Sequence, residues 1–219
     1  ISIEHTFLQS GMSQTQAIRD ALTDFKESGK FIYAYHDFFT QKDYYFASVA
    51  DSVFVHPEGG VELAGLASEV LYLKEFQDIT GIEMQVIRSG AYKSAVEPFL
   101  QDEMSEKNRE QIQSLLDSFW SEMVVKIEER AALTPKKINE IASSLDALVS
   151  ANAVELGVVD NAILRNEYTE LLRAKMELEE DDKLHTIDIE DYQQTVSTQL
   201  GEGKDRIAVV YAQGEIIYG

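Results

Sequence analysis

The run GAYKSAVEPFL at residues 90–100 sets Lys93 among Ile87, Ala91, Tyr92, Ala95, Val96 and Phe99. Two kinds of lysine fit that spelling. One is a solvated surface cation. The other is an amine drawn into an apolar pocket, where loss of water disfavours the ammonium and leaves a neutral base that can accept a proton. Arg88, if close, adds a like charge and pushes the same way. Spacing by itself favours the surface cation, because lysines between a strand and a helix mostly face water. Glu97 and Pro98 are placed to shape the loop that carries this lysine.

Other chemistries find less support. The chain has no cysteine, which excludes thiolate nucleophiles, disulfides and cysteine-based zinc sites. It contains no G-x-S-x-G elbow, no G-x-G-x-x-G turn and no Walker phosphate loop. His5, His36, His56 and His185 are scattered and read as ordinary strand or loop residues. His36-Asp37 resembles half of a catalytic triad, but neighbours on a strand point to opposite faces. The acidic run ELEEDD at 177–182 lacks the spacing of a calcium loop and reads as a solvated face. Ser48, Ser52 and Ser94 read as structural rather than nucleophilic, and Tyr44 and Tyr45 as core.

The charge balance narrows the partners. With 19 basic and 39 acidic residues the net charge is −20, which argues against nucleic acid and against a polybasic membrane patch. No stretch reaches the roughly 18 apolar residues of a membrane-spanning helix.

The elements that must position Lys93 follow from periodicity. ISIEHTF alternates and reads as a strand. Ser13 and Gln16 have capping-box spacing before a helix whose face is Ala17, Ile18, Ala21, Leu22 and Phe25, closed at Gly29. FIYAY is a strand, DYYFASVA a short helix, and SVFVH a strand that stops at Pro57. A helix is expected over about Ala67–Gln77 and a strand over IEMQVI. Alternation of this kind predicts α/β architecture with a mainly parallel sheet. Beyond Pro98 the pattern turns helical. Ser105 caps a long helix with Ile112, Leu115, Leu116, Phe119, Met123 and Ile127 at helical spacing, a face that suits either a core or an assembly surface. Thr134-Pro135 starts another helix, and a third covers about Leu145–Leu156. The expected division is an α/β core at 1–100, a helical extension at 101–175, an acidic segment and linker at 176–205, and a new strand at 206–219. Both ends read as cut from something longer.

Three stretches carry a family resemblance. GAYKSAVEPFLQDEMSEKNREQ, KFIYAYHDFFTQKDYYFASVADSVFVHPEG and RIAVVYAQGEIIYG are similar to the long, two-repeat members of the S49 serine peptidases, the family of bacterial signal peptide peptidase A (protease IV). The resemblance implies a Clp-protease/crotonase-like fold, with this chain as the N-terminal repeat and 206–219 as the first strand of the next. It implies that Lys93 is the general base of a Ser/Lys dyad whose serine lies in the C-terminal repeat, outside this sequence. It also implies peptide substrates (cleaved signal peptides), a bacterial inner-membrane anchor outside this chain, an extracytoplasmic catalytic domain and a homo-oligomer. No metal or organic cofactor is needed. The turn matching the family's serine turn is QKDYY, which puts Gln41 at the nucleophile's place and Lys42-Asp43 in place of two glycines, so this half alone is expected to be inactive. Two other readings share the fold: a non-catalytic scaffold or oligomerisation domain, and a crotonase-type acyl-CoA enzyme, which the acidic composition disfavours.

Overall fold

The computed structural model describes residues 1–4, 7–87, 89–90, 92–179 and 181–197. His5, Arg88, Ala91, the linker at 201–205 and the strand expected at 206–219 lie outside the described residues. The chain forms two compact units, Ile1–Leu172 and Arg173–Gly219.

The first unit opens with β1 (Ser2–Ile3), α1 (Met12–Lys26), β2 (Tyr33–His36), α2 (Gln41–Ala47) and β3 (Ser52–Val55). Strands β1, β2 and β3 pair in parallel, with Ser2 opposite Tyr33 and Tyr33 opposite Ser52. Ala34, Tyr35 and His36 of β2 are all buried, as expected for a parallel strand covered on both faces. The sheet is completed by β4 (Asn161–Ala162), which lies beside β3. Its sequence has no strand period. It is drawn in by Asp160, whose carboxylate accepts from the Val53 N–H at 2.6 Å, while Ile163 N–H donates to the Val55 carbonyl at 2.9 Å.

Between β3 and β4 run α3 (Lys74–Thr80), α4 (Glu97–Leu100), α5 (Glu106–Ala131), α6 (Pro135–Ser144) and α7 (Ser150–Glu155). The caps read from sequence form: Ser105 Oγ accepts from Asn108 N–H at 3.2 Å and Thr134 Oγ1 from Lys137 N–H at 3.3 Å. In α5 the apolar face divides. Met123, Val124 and Ile127 are buried in the core, while Leu115 and Phe119 are exposed.

Three elements differ from expectation. The single helix expected over about Leu145–Leu156 is broken at the extended Val149 into a 3-10 turn, Asp146–Leu148, and α7. The helix placed at 67–77 forms only at 74–80, since Ala64-Gly65 is held by a side chain of α2 and Gly65 has φ +76°. IEMQVI is not a strand: the edge of β3 that it would need is taken by β4, and Ile82, Met84 and Ile87 are exposed.

The inner face of α1 also shifts. Gly11, not Ser13, precedes the helix, with Gln14 Oε1 accepting from Gly11 N–H at 3.0 Å. The buried positions are Thr15 and Arg19, and Ile18 is exposed. Arg19 Nη1 donates to the carbonyls of Tyr45 and Phe46, the latter at 3.1 Å, and to Ser48 Oγ at 2.9 Å. A cation at the carbonyl end of α2 satisfies groups that the helix leaves open. Arg19→Met is therefore expected to cost about 3 kcal/mol, read as a lower urea midpoint with an unchanged slope.

The core joins Ile32, Ala34, Phe39, Tyr44, Val53 and Val55 to Ile127, Ile138, Ile141 and Val158. Within it the Tyr44 hydroxyl donates to the Val158 carbonyl at 2.6 Å. Burial pushes this phenol up to about 12, from an ordinary value of 10. Its contribution to stability is complete below pH 10 and is lost as pH rises through about 12, because the unfolded chain gives up this proton first. Tyr44→Phe is expected to cost about 1 kcal/mol at neutral pH, and urea unfolding between pH 9 and 12 should show that deficit closing above pH 10.

Two glycines close the top of the sheet. A Cβ on Gly59 would lie 1.8 Å from the Asp37 carbonyl oxygen, and one on Gly60 would lie 2.0 Å from that of Leu148. Phe39 N–H donates to the Gly60 carbonyl at 3.0 Å and Ser150 N–H to that of Gly59 at 3.0 Å.

The first unit includes residues 165–172 of α8 (Arg165–Lys175). Tyr168 stacks on Tyr35 at 5.0 Å between ring centroids, and its hydroxyl lies 2.7 Å from Ser2 Oγ. In the second unit Arg173 donates to the carbonyls of Asp182 and Glu179, each at 2.6 Å, and α9 spans Ile189–Ser197. Glu177, Glu179, Asp181 and Asp182 are exposed, in keeping with a solvated acidic run. Among the described residues no helix is long and apolar enough to cross a membrane.

Candidate functional site

Lys93 stands at the head of a single 3-10 turn, Ser94–Val96, that runs directly into α4. Its N–H donates to the Gly90 carbonyl at 3.3 Å. The side chain is exposed, and the apolar neighbours counted from sequence do not enclose it: Ile87 and Tyr92 are exposed too. The same segment shows Leu66, Leu71, Phe76, Ile79, Ile82 and Met84 to solvent.

The turn is nevertheless held firmly from below. Glu97 is buried, and its carboxylate accepts from Ser105 Oγ at 2.6 Å, Ser105 N–H at 3.3 Å and Asn108 Nδ2 at 3.1 Å. The partners form the N-terminus of α5, where a negative charge is favoured by the helix dipole. A second tether comes from Gln77 on α3. Its amide donates to the Phe99 carbonyl at 2.8 Å and accepts from Met84 N–H at 2.8 Å. Leu73 N–H adds a bond to the Pro98 carbonyl at 2.7 Å.

The other sequence-derived position is Gln41, first residue of α2. Its Oε1 accepts from Ala64 and Gly65 N–H, both at 2.9 Å, and its Nε2 donates to the Gly65 carbonyl at 2.9 Å. The amide thus acts as a clamp on the chain that leaves the sheet. Lys42 Nζ donates to the Ser10 carbonyl at 3.1 Å, and the buried Asp43 accepts from Leu8 N–H at 2.9 Å and Thr40 Oγ1 at 2.6 Å. The Asp43 N–H itself points at Thr40 Oγ1, 3.3 Å away. A turn that stabilised an oxyanion would need such N–H groups open toward a reacting carbonyl. Here the turn serves structure.

Beside Gly65 lies an open groove of about 260 Å3, with Leu66, Leu116 and Trp120 on one part of its lining and Asn139 and Ser143 on another. Trp120 Nε1 donates to Asn139 Oδ1 at 2.7 Å. His36 is buried with Nδ1 3.0 Å from the Phe38 carbonyl oxygen, Asp37 is exposed, and His56 Nδ1 accepts from Glu58 N–H at 3.1 Å. Ser48 is tied to Tyr45 and Arg19. Sequence reading singled out Lys93 and Gln41 but not Gln77, whose signal is only a polar residue on the inner face of a short helix.

Comparison with known proteins places this architecture. The model of peptidase family S49 matches residues 24–179, more than half of the chain. Protease 4 of Haemophilus influenzae is 33% identical over 211 residues, covering 92% of this chain and 34% of that protein. The chloroplastic serine protease SPPA of Arabidopsis thaliana is 30% identical over 213 residues, covering 95% and 31%. Protease 4 of Salmonella typhi is 28% identical over 214 residues, covering 92% and 34%. The chain spans about a third of the length of these relatives. Its parallel sheet flanked by helices agrees with the α/β fold expected of them. On the strength of the matched model, the chain belongs to peptidase family S49.

Proposed function

We propose that this chain is the base-bearing part of a serine–lysine endopeptidase. The observation that carries the reading is the presentation of Lys93 on a firmly tethered turn, within a segment whose apolar side chains face solvent. Covering that segment removes water from the amine and favours its neutral form. The cover is a part of the enzyme outside these 219 residues that also carries the serine. Gln41, engaged with the 64–65 backbone, supports this division, since the matching position here is committed to structure.

In the reaction the neutral Lys93 amine takes the proton of the serine hydroxyl as its oxygen bonds to the peptide carbonyl carbon. The lysine ammonium returns that proton to the leaving amine as the C–N bond breaks. Water, deprotonated by the same amine, then splits the acyl-enzyme and frees the serine. The reading extends to short apolar peptides such as cleaved signal peptides as substrates, to a homo-oligomer, and to a membrane-anchored enzyme of the bacterial extracytoplasmic side. Support comes from the family match and from relatives named Protease 4 and serine protease SPPA.

The test compares three samples on a short apolar peptide ester: a protein of the relatives' full length that includes this chain, its Lys93→Ala variant, and the 219 residues alone. Turnover only by the first supports the assignment. A folded Lys93→Ala variant with undiminished turnover would make this chain a scaffold.

A further inference from the structure

The geometry points to Glu97 as the positioning residue of Lys93: a buried carboxylate that fixes where the amine stands by locking its turn onto the N-terminus of α5. The inference rests on the reading of Lys93 as the base and adds to it a residue that touches neither serine nor peptide.

Three features lead there. Glu97 is 1% exposed, and a carboxylate is taken out of water only where donors replace the water it loses. Among the described residues Ser105 Oγ, Ser105 N–H and Asn108 Nδ2, all from one helix start, donate to it. The link from Glu97 back to Lys93 is a single 3-10 turn, closed by the Glu97 N–H bond to the Ser94 carbonyl. Nothing flexible intervenes. On the N-terminal side the described 82–87 run forms no strand and Ile82, Ile87 and Tyr92 are exposed, with the Met84 N–H bond to Gln77 as a tether there. Lys93 is therefore referenced to the fold from its C-terminal side, through Glu97 and, behind it, through Gln77 on the Phe99 carbonyl.

A purely structural carboxylate would need only to be paired. The arrangement at Glu97 does more, because its partners belong to the longest helix among the described residues, whose far half is built into the core through Met123, Val124 and Ile127. The turn thus inherits the rigidity of the sheet-packed unit while its outer face stays open for a cover. General-base catalysis is sensitive to this. A displacement of about 1 Å can cost on the order of 10²-fold in rate, and a neutral amide in place of the carboxylate turns an N–H toward donors and forces such a displacement.

The experiment uses a protein of the relatives' full length that includes this chain. Folding is checked by circular dichroism, and kcat and KM for a short apolar peptide ester are taken per mole of folded protein. Glu97→Gln is expected to lower kcat by about 10²-fold with KM within about twofold. In a Lys93→Ala background the same substitution should leave the residual ester turnover unchanged, since no amine remains to be placed. Asn108→Ala, which removes one donor and spares the carboxylate, should give a smaller kcat loss and serves if Glu97→Gln does not fold. Full kcat in a folded Glu97→Gln variant overturns the inference while leaving Lys93 as the base. An equal loss with and without Lys93 also overturns it, by showing that Glu97 acts elsewhere. Undiminished turnover of Lys93→Ala alone removes the reading on which it rests.

Discussion

In the full-length enzyme Lys93→Ala is expected to lower peptide-ester turnover by about three orders of magnitude, while the 219 residues alone, where this side chain is exposed, keep their thermal stability. The size follows from what a positioned base supplies, about 10²- to 10⁴-fold, or roughly 3–5 kcal/mol of transition-state stabilisation. The unchanged stability follows from exposure. Substitutions at exposed positions away from caps and buried networks usually move stability by no more than about 0.5 kcal/mol, and the Lys93 side chain lies on the surface of the described structure. Lys93→Arg separates two roles that alanine removes together. Arginine retains the positive charge but does not surrender a proton, so a base predicts a loss as deep as that of alanine, whereas a surface cation predicts recovery. Calorimetry beside the kinetic assay checks both halves of the expectation.

Gly60→Ala should do the reverse, destroying the fold. The added methyl would stand 2.0 Å from the Leu148 carbonyl oxygen and 2.4 Å from its carbon, with the Ala147 oxygen at 3.1 Å. These are backbone atoms, so no side chain can swing aside. Relief requires parting the loop after β3 from the segment before α7, and that seam carries the Val61 N–H bond to the Ala147 carbonyl at 2.7 Å and the Ser150 N–H bond to that of Gly59 at 3.0 Å. The expected cost is about 4 kcal/mol or more, a large share of the stability of a domain this size. Circular dichroism should find the variant unfolded or its midpoint sharply lowered. Gly29→Ala, where no atom lies within 4 Å of the added carbon but φ is +73°, is the control that isolates backbone strain from collision.

Much of this was legible in the sequence, and for local reasons. The strands at 33–36 and 52–55 are dense β-branched and aromatic runs bounded by polar turns, and the caps at Ser105 and Thr134 lie beside the helices they start. What escaped was decided at a distance. IEMQVI has the alternation of a strand, yet a strand exists only where a sheet edge is vacant, and a two-residue segment after Asp160 takes that edge. The face of α1 read from sequence omitted Arg19, which the carbonyl end of α2 draws inward while Ile18 stays exposed. The apolar letters around Lys93 fit a pocket or a surface, spacing favours the surface, and the exposed side chain agrees; letters alone cannot say whether neighbours enclose a side chain or stand beside it in water. Gln41 shows the opposite case. The resemblance sets it at the family's serine turn, and the structure adds that its amide holds the Ala64-Gly65 backbone.

The placement of β4 has a consequence for biosynthesis. The strand beside β3 is supplied by Asn161–Ala162, so the sheet cannot close while the chain is being made until the segment after Asp160 has left the ribosome. Until then β3 presents an unpaired edge, the kind of edge that recruits other chains, and contacts of such long sequence separation form slowly. A nascent chain of this design is exposed to aggregation over the whole interval in which α3 to α7 are synthesised, and it gains its protection late and nearly all at once. Ribosome-stalled chains that still hold residue 163 inside the exit tunnel and longer ones that have extruded it should therefore differ abruptly in protease resistance.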